Sequence, residues 1–208
     1  MLQTSQSVDR LNQQISFIRE IDRLKAITRR SLLFSKERFE NSAEHSWHIA
    51  ILSMVLSEYA LETIDTMRVV RMLLIHDIVE IDAGDVFLYD EVGQAEKAVK
   101  EDDAFERIFG LLPDDQNLYF RKHWDEFENG ETAEARFARA IDRMMPLLHN
   151  VYTEGHAWRS HKIKPEQVYQ VNAVIERGSP ELWEFVKALI DDCVVRGFFN
   201  HDEEGSEA

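Results

Sequence analysis

The chain has 208 residues, with 39 Asp and Glu against 24 Lys and Arg and a formal net charge of −15. That balance argues against a broad nucleic-acid footprint, because gripping a phosphate backbone needs clustered Lys and Arg, yet it permits a small phosphorylated substrate held by one or two basic groups. A single Cys193 excludes an internal disulfide and suits a reducing cytosol, and there is no signal peptide and no apolar run long enough to span a membrane. With 4 Pro, 8 Gly and apolar residues at helical spacing, the chain reads as an all-α single domain over 1–208, its core spanning about 10–195 and its acidic end, 201–208, frayed.

Residues 5–27 set Val8, Leu11, Ile15, Ile18 and Ile21 or Leu24 at helical spacing, an amphipathic helix expected to pack across the central helices. Lys25, Arg29 and Arg30 form a basic cluster that reads either as a helix end complementing the dipole or as a phosphate clamp. Residues 31–42 read as a loop or broken helix. Asn41-Ser42 then caps a helix from about Ala43, which puts His45 in its first turn facing inward, Trp47 in packing and His48 in a supporting role. Residues 66–79 form the central helix. Its run Leu73-Leu74-Ile75-His76-Asp77-Ile78-Val79-Glu80 is apolar but for three groups whose unpartnered burial would cost several kcal/mol. A metal ion is one partner that removes this cost, and on a helix Glu80 shares a face with His76 and Asp77.

Beyond Glu80 the pattern turns irregular. Asp82 is expected to face solvent, and Gly84 to take a backbone angle that other residues avoid. Asp85 either caps a turn or accepts a hydrogen bond from a substrate or its attacking water. Residues 86–94 read as a loop whose tip covers the site. Residues 94–109 read as a surface helix with Ala95, Ala98, Val99, Phe105 and Ile108 as its apolar stripe and its charges in solvent. Pro113 opens a further helix through Leu118, Phe120, Trp124 and Phe127, ended by Asn129-Gly130, with His123 exposed. Residues 131–149 form a long helix with Phe137, Ala140, Ile141, Met144 and Leu148 inward. Asp142 lies among apolar neighbours, where an unpaired carboxylate is costly, and Pro146 is expected to kink the helix just after it. The 146–161 segment, with His149, Asn150, Trp158 and His161, reads as structural support. Helices at 165–177 and 180–196, the second striped by Leu182, Phe185, Leu189 and Cys193, close the bundle or form a dimer face.

His45, the pair His76-Asp77 and Asp142 follow one another in the order of the HD-domain superfamily of metal-dependent phosphohydrolases, which this chain resembles over roughly residues 10–195. The flanks Ala43-Glu44-His45-Ser46, Glu80-Ile81-Asp82-Ala83-Gly84-Asp85 and Asp142-Arg143-Met144 resemble the 5′-deoxynucleotidase (YfbR-like) branch. A bare His-Asp dipeptide is a weak signal, whereas the four-part order with these flanks is a strong one. The resemblance implies a helical bundle with one divalent metal held by His45, His76, Asp77 and Asp142. It implies Arg30, fifteen residues before His45, as a substrate-binding Arg, and Asp85 as a substrate-binding and active-site Asp. In that branch the residue after the Arg is a Trp beside the sugar. Here it is Ser31, which leaves the preference for deoxyribose open. A homodimer is also implied.

Two imidazoles and two carboxylates make a mixed N/O donor set suited to Mn²⁺, Co²⁺, Fe²⁺, Zn²⁺ or Ni²⁺. Such an ion acts as a Lewis acid and acidifies bound water. Glu80 is the residue expected to take a proton from that water, with Asp77 assisting. The resulting expectation is a cytoplasmic enzyme that removes phosphate from nucleoside 5′-monophosphates, deoxynucleotides first. An HD phosphodiesterase, another nucleotide phosphohydrolase and a metal- or nucleotide-binding sensor without turnover are the other readings.

Overall fold

Thr28–Leu32 (β1) and Phe39–Asn41 (β2) pair as a two-stranded antiparallel sheet, with Thr28 opposite Asn41 and Leu32 opposite Phe39. Of the loop or broken helix expected at 31–42, the middle, 33–38, is an irregular turn, and the two ends are strand. A strand alternates its side chains between two faces; here Arg29 and Ser31 turn inward and Arg30 outward, so the inward face is polar and carries no apolar period to read. In this computed structural model, which describes residues 2–200, all other regular structure is helical. The acidic end at 201–208 lies outside the described residues.

Helix α1 (Leu2–Ile21) leads through a 3-10 turn at Asp22–Ala26 into β1. Helix α2 (Ser42–Val55) starts at a reciprocal cap: Asn41 accepts the Glu44 N–H, and the Glu44 carboxylate accepts the Asn41 N–H. Helix α3 (Thr66–Ile75) is capped by Asp65, whose carboxylate accepts from the N–H groups of Met67 and Arg68. The helix does not continue through the expected 66–79. At His76–Val79 it tightens into a 3-10 turn, followed by the short α4 (Glu80–Ala83). Gly84 closes α4 at φ +77, as its residue type predicts. The chain then forms α5 (Glu91–Phe109), α6 (Asp114–Asn129), α7 (Ala133–Tyr152), α8 (His156–Ser160), α9 (Pro165–Asn172), α10 (Ile175–Gly178) and α11 (Pro180–Val195). Helix α7 runs through Pro146 to Tyr152, three residues beyond the expected end at 149.

Two apolar clusters form the core. One surrounds α7 and joins Phe137, Ile141 and Met145 to Ile49 of α2, Leu73 of α3 and Val186 and Ile190 of α11. Helix α10 reaches α7 closely because Gly178 has no side chain; a Cβ there would stand 2.4 Å from the Arg136 carbonyl oxygen. The other cluster joins Phe17, Leu24, Ile75, Ile78, Val79, Phe105, Phe109 and Trp124. The 3-10 turn at His76–Val79 follows residues of the first cluster and carries residues of the second, so both cores fix its position.

Several expected faces lie elsewhere. On α1, Val8, Leu11, Ile15 and Ile18 are exposed, while Phe17 is the buried residue, packed on Phe109 and Phe120 with ring centroids 5.3 and 5.8 Å away. On α5, Ala95, Ala98 and Val99 face out, and Ala104, Phe105, Ile108 and Phe109 face in. Trp47 is 62% exposed rather than packed. His123 is buried, its Nδ1–H donating to the Tyr119 carbonyl at 2.8 Å. On α11 the buried stripe is Leu182, Trp183, Val186, Ile190 and Cys193, with Phe185 outside. Among the described residues no helix is long and apolar enough to cross a membrane.

Candidate metal centre

Three separate stretches of chain deliver the predicted ligands to one point. His45 comes from the first turn of α2, His76 and Asp77 from the 3-10 turn, and Asp142 from the middle of α7. His45 Nε2 lies 2.9 Å from Asp142 Oδ1, and His76 Nε2 lies 2.9 Å from Asp77 Oδ1 and 3.6 Å from Asp142 Oδ1. Ligand atoms of His45, His76 and Asp142 all fall within 4.8 Å of one another. Both imidazoles and Asp77 are buried, whereas the Asp142 side chain keeps 23% of its surface open.

The donor set fits a divalent cation. His76 Nδ1 is 3.0 Å from the Leu73 carbonyl oxygen, an atom that only accepts, so Nδ1 carries a hydrogen. In neutral His76 the Nε2 lone pair then faces two carboxylate oxygens, an arrangement that is repulsive without a cation among them. The surrounding charges point the same way. Burial opposes a proton on His76, but Asp77 and Asp142 outweigh it and hold its pKa well above the ordinary value. Burial likewise favours a neutral Asp142, but the two imidazoles keep it well below the usual carboxylate range.

Glu80 stands next to the ligand set. Its Oε2 accepts the Ser42 hydroxyl hydrogen at 2.6 Å. Burial, and then the charge of Asp77, push its carboxyl up to about 8 against the pull of Arg29. In a 3-10 turn, residues three apart eclipse, which brings Asp77 and Glu80 to the same side. Asp85 lines the same cavity. Asp82 does not; it is exposed and paired with Arg107 on the surface.

Arg29, which the sequence offers only as part of a basic cluster, is the guanidinium that meets the carboxylates of the site. Its Nη1 lies 2.8 Å from Asp77 Oδ2, 3.5 Å from Glu80 Oε1 and 3.6 Å from Asp85 Oδ1. Its neighbour Arg30, predicted to bind substrate, is at the mouth of the cavity instead, 4.9 Å over the Phe87 ring and 3.4 Å from His161 Nε2. Strand alternation separates the two, a distinction that a basic cluster in sequence does not reveal. Ser31 lies on the cavity wall with Phe87, Tyr89 and Lys97. Lys97 and Glu101 contradict the expectation that α5 carries only solvated charge. Lys97 lines the cavity and Glu101 is buried 3.4 Å from it. Burial opposes the Lys97 charge, but Glu101, Asp77, Glu128 and Asp142 raise its pKa. Glu40, missed as a site residue, is buried with Oε2 3.3 Å from His45 Nδ1. A carboxylate behind a ligating imidazole fixes its tautomer and orientation. No spacing rule marks Glu40, because it reaches the site from a three-residue strand.

A helical domain that gathers two His and two Asp at one point, three of them on the wall of a cavity, is of the metal-centre class. More specifically, the chain belongs to the HD domain family, whose model matches residues 21–183. A crystal structure described as a predicted metal-dependent phosphohydrolase from Magnetospirillum magnetotacticum MS-1 is 51% identical, with a TM-score of 0.87 over 91% of this chain and 95% of that one. The 5′-deoxynucleotidase HDDC2 of Homo sapiens is 29% identical over 135 residues, 64% of this chain and 65% of that protein. The matched stretch thus spans just under two thirds of the human relative. The Xenopus laevis protein of the same name is 26% identical over 179 residues, 86% of each chain.

Proposed function

We propose that this chain is a metal-dependent phosphohydrolase that removes phosphate from nucleoside 5′-monophosphates, using one divalent ion held by His45, His76, Asp77 and Asp142. The observation that carries this reading is the convergence of His76, Asp77 and Asp142 beside Glu80 on the wall of a cavity that Arg30 also lines, with His45 buried 2.9 Å behind Asp142. Relatives named 5′-deoxynucleotidase and a structural neighbour described as a metal-dependent phosphohydrolase support it.

When bound, the ion supplies Lewis acidity toward the phosphoryl group and compensates the charge that spreads over its oxygens. The chain's own residues do the rest. Glu80, adjoining the ligand set on the cavity wall, is the carboxylate placed to take a proton from the attacking water. Ser42 holds that carboxyl in place through its 2.6 Å hydrogen bond. Arg29 keeps Asp77, Glu80 and Asp85 together without their charges repelling one another or the incoming phosphate. Arg30 and Lys97 meet the substrate's negative charge, and a guanidinium can bind two phosphate oxygens at once. Phe87 and Tyr89 offer aromatic faces to a base. Ser31 stands where a bulky side chain would crowd the sugar, so discrimination against ribonucleotides is weaker than a Trp would give.

The reading extends to a cytoplasmic homodimer. The buried, unpaired Cys193 fits a reducing compartment. Val8, Leu11, Ile15 and Ile18 on α1 are exposed at 3-4-3 spacing, the seam that a second helix covers.

The direct test is phosphate release from ribo- and deoxyribonucleoside 5′- and 3′-monophosphates and a cyclic nucleotide, with Mn²⁺, Co²⁺, Mg²⁺ or chelator. Metal-dependent release from 5′-monophosphates is expected. Release from the cyclic nucleotide alone, or none with metal bound, rejects the nucleotidase.

A further inference from the structure

Behind His45, on the side away from the cavity, lies a second group of donors that the proposed chemistry does not use. Glu40, His48 and His149 offer ligand atoms that all lie within 4.8 Å of one another. Glu40 and His149 are each 1% exposed. Glu40 Oε1 and His149 Nε2 are 3.3 Å apart, yet His149 Nε2 and Glu40 Oε2 have no hydrogen-bond partner.

The tautomer of His149 is fixed in the same way as that of His76. Its Nδ1 lies 2.7 Å from the Leu32 carbonyl oxygen, so Nδ1 carries the hydrogen and, in neutral His149, the Nε2 lone pair faces the Glu40 carboxylate. Two buried acceptors facing each other require a cation between them. A proton satisfies only the Glu40–His149 contact and leaves His48 without a role. An ion joins all three. Two imidazoles and one carboxylate, with a fourth position open to water, form a donor set that suits Zn²⁺ or Co²⁺. His48 is only half-buried, between Trp47 and Phe34, both exposed, so solvent has a route to this side of the group.

We propose that Glu40, His48 and His149 bind a second divalent transition-metal ion, separate from the one assigned to His45, His76, Asp77 and Asp142. Its place gives it a positioning role. Glu40 reaches this site through one oxygen, while the other is 3.3 Å from His45 Nδ1, so filling the second site holds the carboxylate that orients the His45 ring. This proposal concerns metal content alone and stands whether or not the cavity hydrolyses nucleotides.

The test is metal stoichiometry. The full chain is stripped with chelator, loaded with excess Co²⁺ or Zn²⁺, desalted and analysed by mass spectrometry for metal per chain, with Co²⁺ absorption read in parallel. The expected result is two ions for the unaltered chain, one each for His48→Gln, His149→Gln and Asp142→Asn, and none for His48→Gln combined with Asp142→Asn. His48→Gln is the decisive variant, because its half-buried position tolerates substitution even where the buried His149→Gln fails to fold. A single ion in the unaltered chain, undiminished by His48→Gln, overturns the proposal. So does a nitrogen-15 spectrum of fully loaded protein in which both His149 nitrogens are protonated at neutral pH.

Discussion

Arg29, on a strand, donates from Nη1 to Oδ2 of Asp77 at 2.8 Å, while the other Asp77 oxygen is 2.9 Å from His76 Nε2. One carboxylate is thus shared between a fixed internal cation and the candidate metal position. Five carboxyl groups (Glu40, Asp77, Glu80, Asp85 and Asp142) gather around this one guanidinium and two imidazoles. Replacing Arg29 by Met leaves buried charge uncompensated, which typically costs about 3–5 kcal/mol. Thermal unfolding of metal-free Arg29→Met is expected to show a large fall in Tm that added Mn²⁺ or Co²⁺ partly restores. An unchanged Tm would remove Arg29 from this role.

Arg30 has a different part. It stands at the cavity mouth, away from the carboxylates, and a hydrogen bond to a charged group is worth about 1.5–3 kcal/mol. Arg30→Ala is therefore expected to raise KM for a nucleoside monophosphate about tenfold or more, with little change in kcat. A fall confined to kcat would place Arg30 in the chemical step instead.

Glu80→Gln keeps the shape of the side chain and its contact with Ser42 but abolishes proton transfer. The expected loss is about 10²- to 10⁴-fold in kcat, with bound metal unchanged. Asp142→Asn is expected to lose the metal of the His45 site as well as the activity. A Glu80→Gln protein that turns over at the normal rate would mean that another group takes the proton.

Glu101 makes stability depend on pH. Burial pushes its carboxyl up to about 7 against Lys97, with Glu128 and Asp77 adding to the rise. The folded chain therefore keeps a proton that the unfolded chain, with an ordinary value near 4.5, releases. The stability from this proton is complete below about pH 4.5 and is lost as pH rises through about 7, a difference of up to about 3 kcal/mol. Glu101→Gln should raise Tm at pH 8 and leave it unchanged at pH 4.5. Equal shifts at both pH values would contradict this account.

The exposed apolar seam on α1 gives a prediction about assembly. Ile15→Glu puts a charge at its centre, and sedimentation should show a dimer become a monomer with helical content retained. A monomer in the unaltered chain would remove the seam's proposed role.

The helical architecture was legible from apolar periodicity, and His76, Asp77 and Asp142 stand out as polar groups among apolar neighbours, whereas His45 and the grouping of all four come from the resemblance to the HD-domain order. The parts that were not legible have physical causes. Arg29 and Glu40 act from short strands whose inward face is polar, so no hydrophobic period marks them. The 3-10 turn at His76–Val79 uses residues that also suit an α-helix, and only tertiary packing on both sides selects the tighter form. The apolar stripe of α1 is real but faces out, because Phe17 rather than Ile15 or Ile18 fills the core beneath this helix. Lys97 and Glu101 looked like ordinary surface charge because their helix packs beside a cavity that sequence does not display.

The proposed ligand set spans 97 residues of chain, from the start of α2 to the middle of α7. An ion held there is also a clasp, since it binds only when three distant stretches have come together. By mass action its binding free energy then adds to that of folding. Scarcity of metal would thus shorten the lifetime of the protein as well as idle it, and the amount of enzyme in a cell would follow the supply of the ion.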